Sequence, residues 1–213
     1  MVIKFEKSDI KKIAITIICI VVICTGYLTF KHFSTGSTKK DLVSNLNKAG
    51  YISAIMVNDY TNAMGESFDY GEILNEYGNT NIAATLNGAL SNRLKYYQNI
   101  GITQYLDSLK TVMQKQMKYV KSNSKEDLAF TSAFENVTKL VNLALTPTGS
   151  YLTFVRDTND YFSNFSSSMD QIGVYYKVAP KDSVIIWSNQ LIKDKYKRFY
   201  QKNKGKIYFE HKP

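Results

Sequence analysis

Two kinds of apolar patterning run through this chain. From Ile13 to Phe30 (IAITIICIVVICTGYLTF) eighteen positions pass without a charge. From residue 41 onward apolar residues recur instead at spacings of three and four, the period of one helical face. In residues 41–65 that face is Leu42, Leu46, Ala49, Ser53, Met56, Tyr60 and Ala63, which predicts a helix opened by Ser37 or Thr38. Gly65, Gly71 and Gly78 interrupt the pattern, so residues 65–79 read as a connection with a short helical turn at Glu72 to Tyr77. A second periodic stretch runs from about Thr80 to Ser122. Its first half is marked by Ile82, Leu86, Leu90, Leu94 and Tyr97, and its second by Tyr105, Leu109, Val112, Gln116 and Val120. Gly101 between them is expected to kink the helix or divide it.

Ser124 is a natural N-cap, followed by Glu126 and Asp127 in the first turn, where carboxylates suit the helix dipole. The helix it opens carries Leu128, Phe130, Phe134, Val137, Leu140, Val141 and Leu145, and is expected to stop before Pro147. Thr148 or Ser150 then opens another through Tyr151, Phe154, Val155, Thr158, Phe162, Phe165, Met169 and Ile172, ending near Gly173. Beyond Pro180 two readings compete. Val184, Trp187, Leu191, Tyr196 and Phe199 suit a helix to about Lys202. The β-branched run at Val184 and the Asn203-Lys204-Gly205 turn suit strands. The helix is preferred, with an extended end.

The expected fold is therefore all-α. It consists of an N-terminal transmembrane helix, an antiparallel bundle of about four helices, and a basic C-terminal extension. In residue terms these are a leader at 1–12, a span at 13–30, a linker at 31–40, the bundle at 41–180 and the tail at 181–213.

The span is argued from length. Eighteen helical residues cover roughly 27 Å, close to the thickness of a bilayer's hydrocarbon core. Ile13, Ile17, Ile20, Val21, Ile23 and Leu28 supply the apolar surface, and Tyr27 and Phe30 stand at the edge, where interfacial aromatics belong. Lys31-His32-Phe33 at the exit is unlike a small-x-small cleavage site, so an uncleaved signal-anchor is expected. Lysines flank both sides nearly equally; a twelve-residue leader remaining in the cytoplasm, with the rest delivered outside, is the simplest arrangement. Both cysteines, Cys19 and Cys24, lie within this run, so no disulfide staples the remainder. That usage, with abundant Lys, Asn, Ile and Tyr, suits a bacterial envelope protein with an AT-rich genome.

Charge sharpens the division. The net +9 of the whole chain resolves into +5 over residues 1–40, −2 over 41–180 and +6 over 181–213. A general polyanion binder is thereby excluded, and only the tail remains a candidate charged contact. There Lys193, Lys195, Lys197, Arg198, Lys202, Lys204 and Lys206 interleave with Tyr196, Phe199, Tyr200 and Tyr208. Basic-aromatic mixtures suit anionic lipid, a cell-wall polymer or a protein surface, and outside the cell nucleic acid is not an expected partner.

Candidate chemistry is sparse. The only histidines are His32 and His211, near the two ends, and no cysteine lies outside the apolar run, so no triad and no Cys/His zinc site is expected. No phosphate loop or EF-hand motif occurs, and no cofactor is expected. Asp157 and Asp160 are expected on a solvated face. Glu66-Ser67-Phe68 resembles the Glu-Ser dipeptide of lytic transglycosylases, which would imply carboxylate-driven glycan cleavage. The Gly-Leu-Met-Gln signature and the later tyrosine motif of that family are missing, so Glu66 reads as a loop carboxylate and no catalytic residue is assigned. In outline, a bundle behind one anchor resembles bacterial chemoreceptor sensory domains, but no output module accompanies it. The expectation is an adaptor or scaffold subunit of a membrane-associated envelope assembly, bacterial or phage-encoded. Its partners would be the lipid bilayer and other proteins. The alternative is a sensor-like bundle that binds a ligand outside the cytoplasm.

Overall fold

The computed structural model describes residues 38–67, 82–121 and 123–203, and all regular structure among them is helical. In chain order these helices are α1 (residues 38–67), α2 (Ile82–Asn99), α3 (Ile102–Met117), α4 (Lys125–Leu145), α5 (Tyr151–Gly173) and α6 (Lys181–Lys202). The chain divides into two compact units, Met1–Lys40 and Asp41–Pro213. Of the first, only residues 38–40 are described, and they are helical. The second unit is a helical bundle.

Local chemistry explains the helix ends. Ser124 and Ser150 have extended backbones and turn their hydroxyls onto the helices that follow. Ser124 Oγ accepts from the Asp127 N–H at 3.1 Å, and Ser150 Oγ accepts from the Thr153 N–H at 3.3 Å. Each satisfies one of the amides that a helix start leaves unpaired. At the C-terminus of α4 the carbonyls are taken up from outside the helix. Tyr60 Oη donates to the Ala144 carbonyl at 2.9 Å, and the hydroxyl of Thr146 donates to the Asn142 carbonyl at 2.9 Å.

The core is built around α1. Between Leu42 and Met64 only Ser44, Asn58 and Asn62 are exposed. A helix buried on nearly every side must have neighbours all round, and it does. Tyr97 of α2 donates to Asp59 at 3.2 Å, and Asn45 donates to Gln116 of α3 at 3.1 Å. Tyr60 reaches α4 through Ala144. Tyr51 packs edge-on against Phe162 of α5, with ring centroids 5.7 Å apart, and Lys48 Nζ lies 5.4 Å from the Trp187 ring of α6.

The same contacts fix direction. Tyr60 meets Phe154 and Tyr51 meets Phe165, so α5 runs antiparallel to α1. α4 lies antiparallel to α5, through Ser132–Ser168 and Phe130–Tyr176, and so runs with α1. α6 also runs with α1. Its first half meets Lys48, and its second half meets Tyr96, whose neighbour Tyr97 packs on Tyr60. One end of the bundle therefore gathers Asp41, the α3–α4 connection and the α5–α6 connection. The other gathers the end of α1, the α2–α3 turn and the α4–α5 turn.

Several expectations are corrected. The bundle has six helices among the described residues rather than about four. Gly101 divides the long second stretch because it adopts a left-handed backbone (φ 76°), the region that favours glycine. The break also resets the buried face. α3 buries Ile102, Thr103, Leu106, Leu109 and Met113, whereas Val112, expected inside, is exposed. Leu128 is likewise exposed in the first turn of α4. The last segment is helical to Lys202 and adds a sixth helix, because Val184, Ser188, Leu191, Ile192, Tyr196 and Phe199 share one face against the core. That tertiary stripe overrides the β-branched run at its start. No helix among the described residues is long and apolar enough to cross a membrane. The expected transmembrane segment 13–30, with Ile13, Ile17, Ile20, Val21, Ile23, Tyr27, Leu28 and Phe30, lies outside the described residues.

Candidate contact surfaces

α6 sorts the basic residues of the tail by face. Lys195, Tyr196 and Phe199 turn inward. Lys195 Nζ sits 5.6 Å from the Tyr105 ring, a cation–π distance, and Tyr196 packs against Tyr96 with centroids 6.0 Å apart. Lys193, Lys197, Arg198 and Lys202 are exposed, as is Tyr200, which stacks on Tyr196 at 6.4 Å. Lys204 and Lys206 lie outside the described residues. Positions 186, 193, 197 and 200 fall on one outward stripe by helical spacing. Its first member, Ile186, is 69% exposed, with Trp187 beside it at the border of the stripe.

A second surface lies at the end of the bundle where Asp41 stands. The connections Lys118-Tyr119-Val120-Lys121 and Val174-Tyr175-Tyr176-Lys177 both lie there, the first preceding α4 in the chain and the second placing Tyr176 on Phe130 of α4. Tyr119, Leu128, Val174 and Tyr175 are exposed, Val174 to 78%. Tyr176 instead turns in, donating to Glu126 at 2.8 Å and packing on Phe130. The periodicity reading passed over this surface because it ranks only helical faces. The available signal was the repeated apolar-aromatic-lysine composition of two short inter-helix turns.

Catalytic candidates fare as follows. Glu66 lies in the last turn of α1 rather than in a loop and is exposed. Phe68 of the same tripeptide, with His32 and His211, lies outside the described residues. Asp157 pairs with the neighbouring Arg156 at 3.0 Å, and Asp160 is exposed. Among the described residues no cluster of three or more His, Cys, Asp or Glu is placed to hold a metal ion.

The perturbed groups are tyrosines of the core. Burial pushes the phenols of Tyr60 and Tyr97 well above their ordinary value. The Asp59 carboxylate adds to this in both, and for Tyr97 so does the hydrogen bond donated to Asp59. Tyr51 is raised by burial and then by Asp170 and Asp182; Tyr105 is raised by burial. All of these shifts hold the proton on, making the phenols durable donors and poor nucleophiles.

A shallow depression of about 470 Å³ lies on α5, lined among the described residues by Asn159, Phe162, Ser163, Ser166, Ser167 and Asp170. The described unit is thus an all-helical bundle. No protein-family model, curated protein or solved structure matches this chain.

Proposed function

We propose that this chain is a membrane-anchored helical adaptor or scaffold subunit of a bacterial or phage-encoded envelope assembly, acting by protein–protein contact rather than catalysis. Residues 13–30 form the anchor, the leader is cytoplasmic, and the bundle lies outside the cytoplasmic membrane. The observation that carries the contact reading is the outward stripe of α6. A helix held to the bundle by one face presents Ile186, Lys193, Lys197 and Tyr200 on the other. Exposed aromatic and aliphatic side chains flanked by cations suit a protein interface, where such side chains supply the energetic anchors.

The test is photo-cross-linking in native membranes, with the reactive side chain placed in turn at Ile186, Lys193 and Tyr200 of the full chain. The same envelope partner is expected from all three positions and none from Asn159 on α5. A chain that remains a solitary monomer at every position would overturn the reading. Protease protection of intact cells tests the orientation, and degradation of the bundle from outside is expected.

The depression on α5 favours a second reading, an extracytoplasmic sensor-like bundle. The depression is open to solvent and its described lining comes from α5, where Phe162 sets an apolar wall beside the polar Asn159, Ser163 and Asp170. That reading predicts a ligand-dependent rise in melting temperature that a Ser163→Phe substitution abolishes.

A further inference from the structure

We propose that α6 is a releasable arm, which swings out as a unit about a hinge at residues 177–180 and leaves the other five helices folded. Release is a property of the fold alone, and only the partner that would take the freed helix rests on the contact reading.

Every other helix is tied across the bundle by a side-chain hydrogen bond. Tyr97 of α2 donates to Asp59 of α1 at 3.2 Å, and Asn45 of α1 donates to Gln116 of α3 at 3.1 Å. Tyr60 of α1 donates to the Ala144 carbonyl of α4 at 2.9 Å, and Ser132 of α4 bonds Ser168 of α5 at 2.8 Å. Among the described residues, Tyr200 aside, α6 has no such tie; the bond from Gln190 to Asp194 at 2.9 Å stays within the helix. Two of its side chains are buried, Val184 and Ser188, against five in α3, eight in α4 and five in α5. The described part of α2 also buries two, Leu90 and Tyr97, but Tyr97 is bonded to Asp59. The buried Ser188 hydroxyl has no partner, and water would supply one once the helix leaves, so docking carries a cost there. What holds α6 is half-buried and weakly directional. Leu191, Ile192 and Phe199 pack against the core, Lys48 Nζ lies 5.4 Å from the Trp187 ring, and Lys195 Nζ lies 5.6 Å from the Tyr105 ring. Sparse burial and missing cross-bonds are what set a cheap local opening apart from global unfolding.

The hinge follows from where the last tie lies. Tyr176 donates to Glu126 at 2.8 Å and packs on Phe130, which fixes the chain through that residue. Lys177, Val178, Ala179 and Pro180 come next without regular structure, and α6 starts at Lys181. Rotation there moves α6 without disturbing α5. Release uncovers Lys48, Tyr96 and Tyr105 on the bundle and frees Leu191, Ile192, Tyr196 and Phe199 on the inward face of α6. With Lys193 and Lys197 on its other side, the freed helix is amphipathic and cationic, the form that lies in an apolar groove with an acidic rim.

The test uses the full chain in mild detergent and needs no partner. Trp187 is the only tryptophan, so tryptophan fluorescence reports on α6 alone. In urea its transition is expected at a lower midpoint and with a shallower slope than the loss of helical circular dichroism, because undocking exposes less surface than unfolding. Hydrogen exchange read by mass spectrometry is expected to show amides 184–200 opening together, at least about tenfold more often than amides 129–144 of α4. Ser188→Ala removes the unpaired hydroxyl and is expected to lower that opening about fivefold or more. Lys48→Ala is expected to raise it about two- to fivefold, and protection in α4 should not change in either variant. Coincident urea transitions of equal slope, or α6 amides as protected as those of α4, would overturn release. So would fast exchange confined to the last turn before Lys202, which is fraying of a helix end. Release in a chain that cross-links to no partner from Ile186, Lys193 or Tyr200 would uphold this inference and refute the contact reading.

Discussion

Gly50 and Gly88 both lie inside helices, yet replacing each by alanine is expected to change stability in opposite directions. The intrinsic effect is the same for both, because alanine favours a helix interior over glycine by about 1 kcal/mol. The surroundings differ. At Gly88 an added Cβ meets nothing within 4 Å, so Gly88→Ala should stabilise by about that amount. At Gly50 the added carbon falls on Cε1 and Cζ of the Phe165 ring and lies 3.1 Å from Cδ1. That ring is fully buried, with Tyr51 and Phe162 each at 6.3 Å between centroids, so it cannot swing away without repacking. An overlap with two carbons of so confined a ring belongs at the upper end of the overpacking range, about 3 kcal/mol, and the propensity gain offsets about 1, leaving a net loss of about 2 kcal/mol. The assay is urea unfolding of the full chain in mild detergent, followed by helical circular dichroism. The two variants should differ by about 3 kcal/mol, and Phe165→Leu should relieve the Gly50→Ala penalty with a coupling of at least about 1 kcal/mol. A Gly50→Ala protein as stable as the parent, or purely additive behaviour with Phe165→Leu, would refute the packing argument.

Four further outcomes follow from the same physics. An unfolded tyrosine ionises near pH 10, while Tyr60 and Tyr97 keep their protons to higher pH in the fold. The stability they contribute is complete below pH 10 and falls above it by about 1.4 kcal/mol per pH unit each. Tyr60→Phe and Tyr97→Phe should flatten that alkaline decline in urea melts, and an unchanged slope would count against the assignment. Ser124→Ala removes the cap on α4 and should cost about 1 kcal/mol by the same melts, with Ser124→Asn close to the parent. Gly101→Ala forces a side chain into the left-handed region and should cost about 1–2 kcal/mol, read as a lowered urea midpoint. Ser53, fully buried with its hydroxyl unpartnered, should tolerate Ser53→Ala without loss or with a gain of up to about 1 kcal/mol; a clear loss would reveal a hydrogen bond this geometry lacks.

The helices and their ends were legible because the physics that sets them is short in range. A cap such as Ser124 reaches three residues ahead, an αL glycine such as Gly101 acts on its own backbone, and a buried stripe repeats within four positions. The candidate surfaces were legible only by composition. The tail reads as one basic-aromatic segment, but its residues part company in the structure. Lys195, Tyr196 and Phe199 turn onto the bundle while Lys193, Lys197 and Tyr200 turn away.

What the amino-acid order determined by itself is an all-helical chain with an uncharged apolar run at one end and basic residues gathered at both. What only the tertiary structure decided is how many neighbours each helix has. The seven-residue face read on α1 is correct as far as it goes. Yet Val43, Tyr51, Ile52, Val57 and Met64 are buried as well, because helices close on α1 from nearly every side. Periodicity describes one helix and one interface, whereas enclosure depends on segments up to 140 residues away, as in the approach of Trp187 to Lys48. For the same reason two connections more than fifty residues apart in sequence, at Tyr119 and Val174, come to share one end of the molecule. Direction and crossing are properties of the assembled bundle, and no local pattern encodes them.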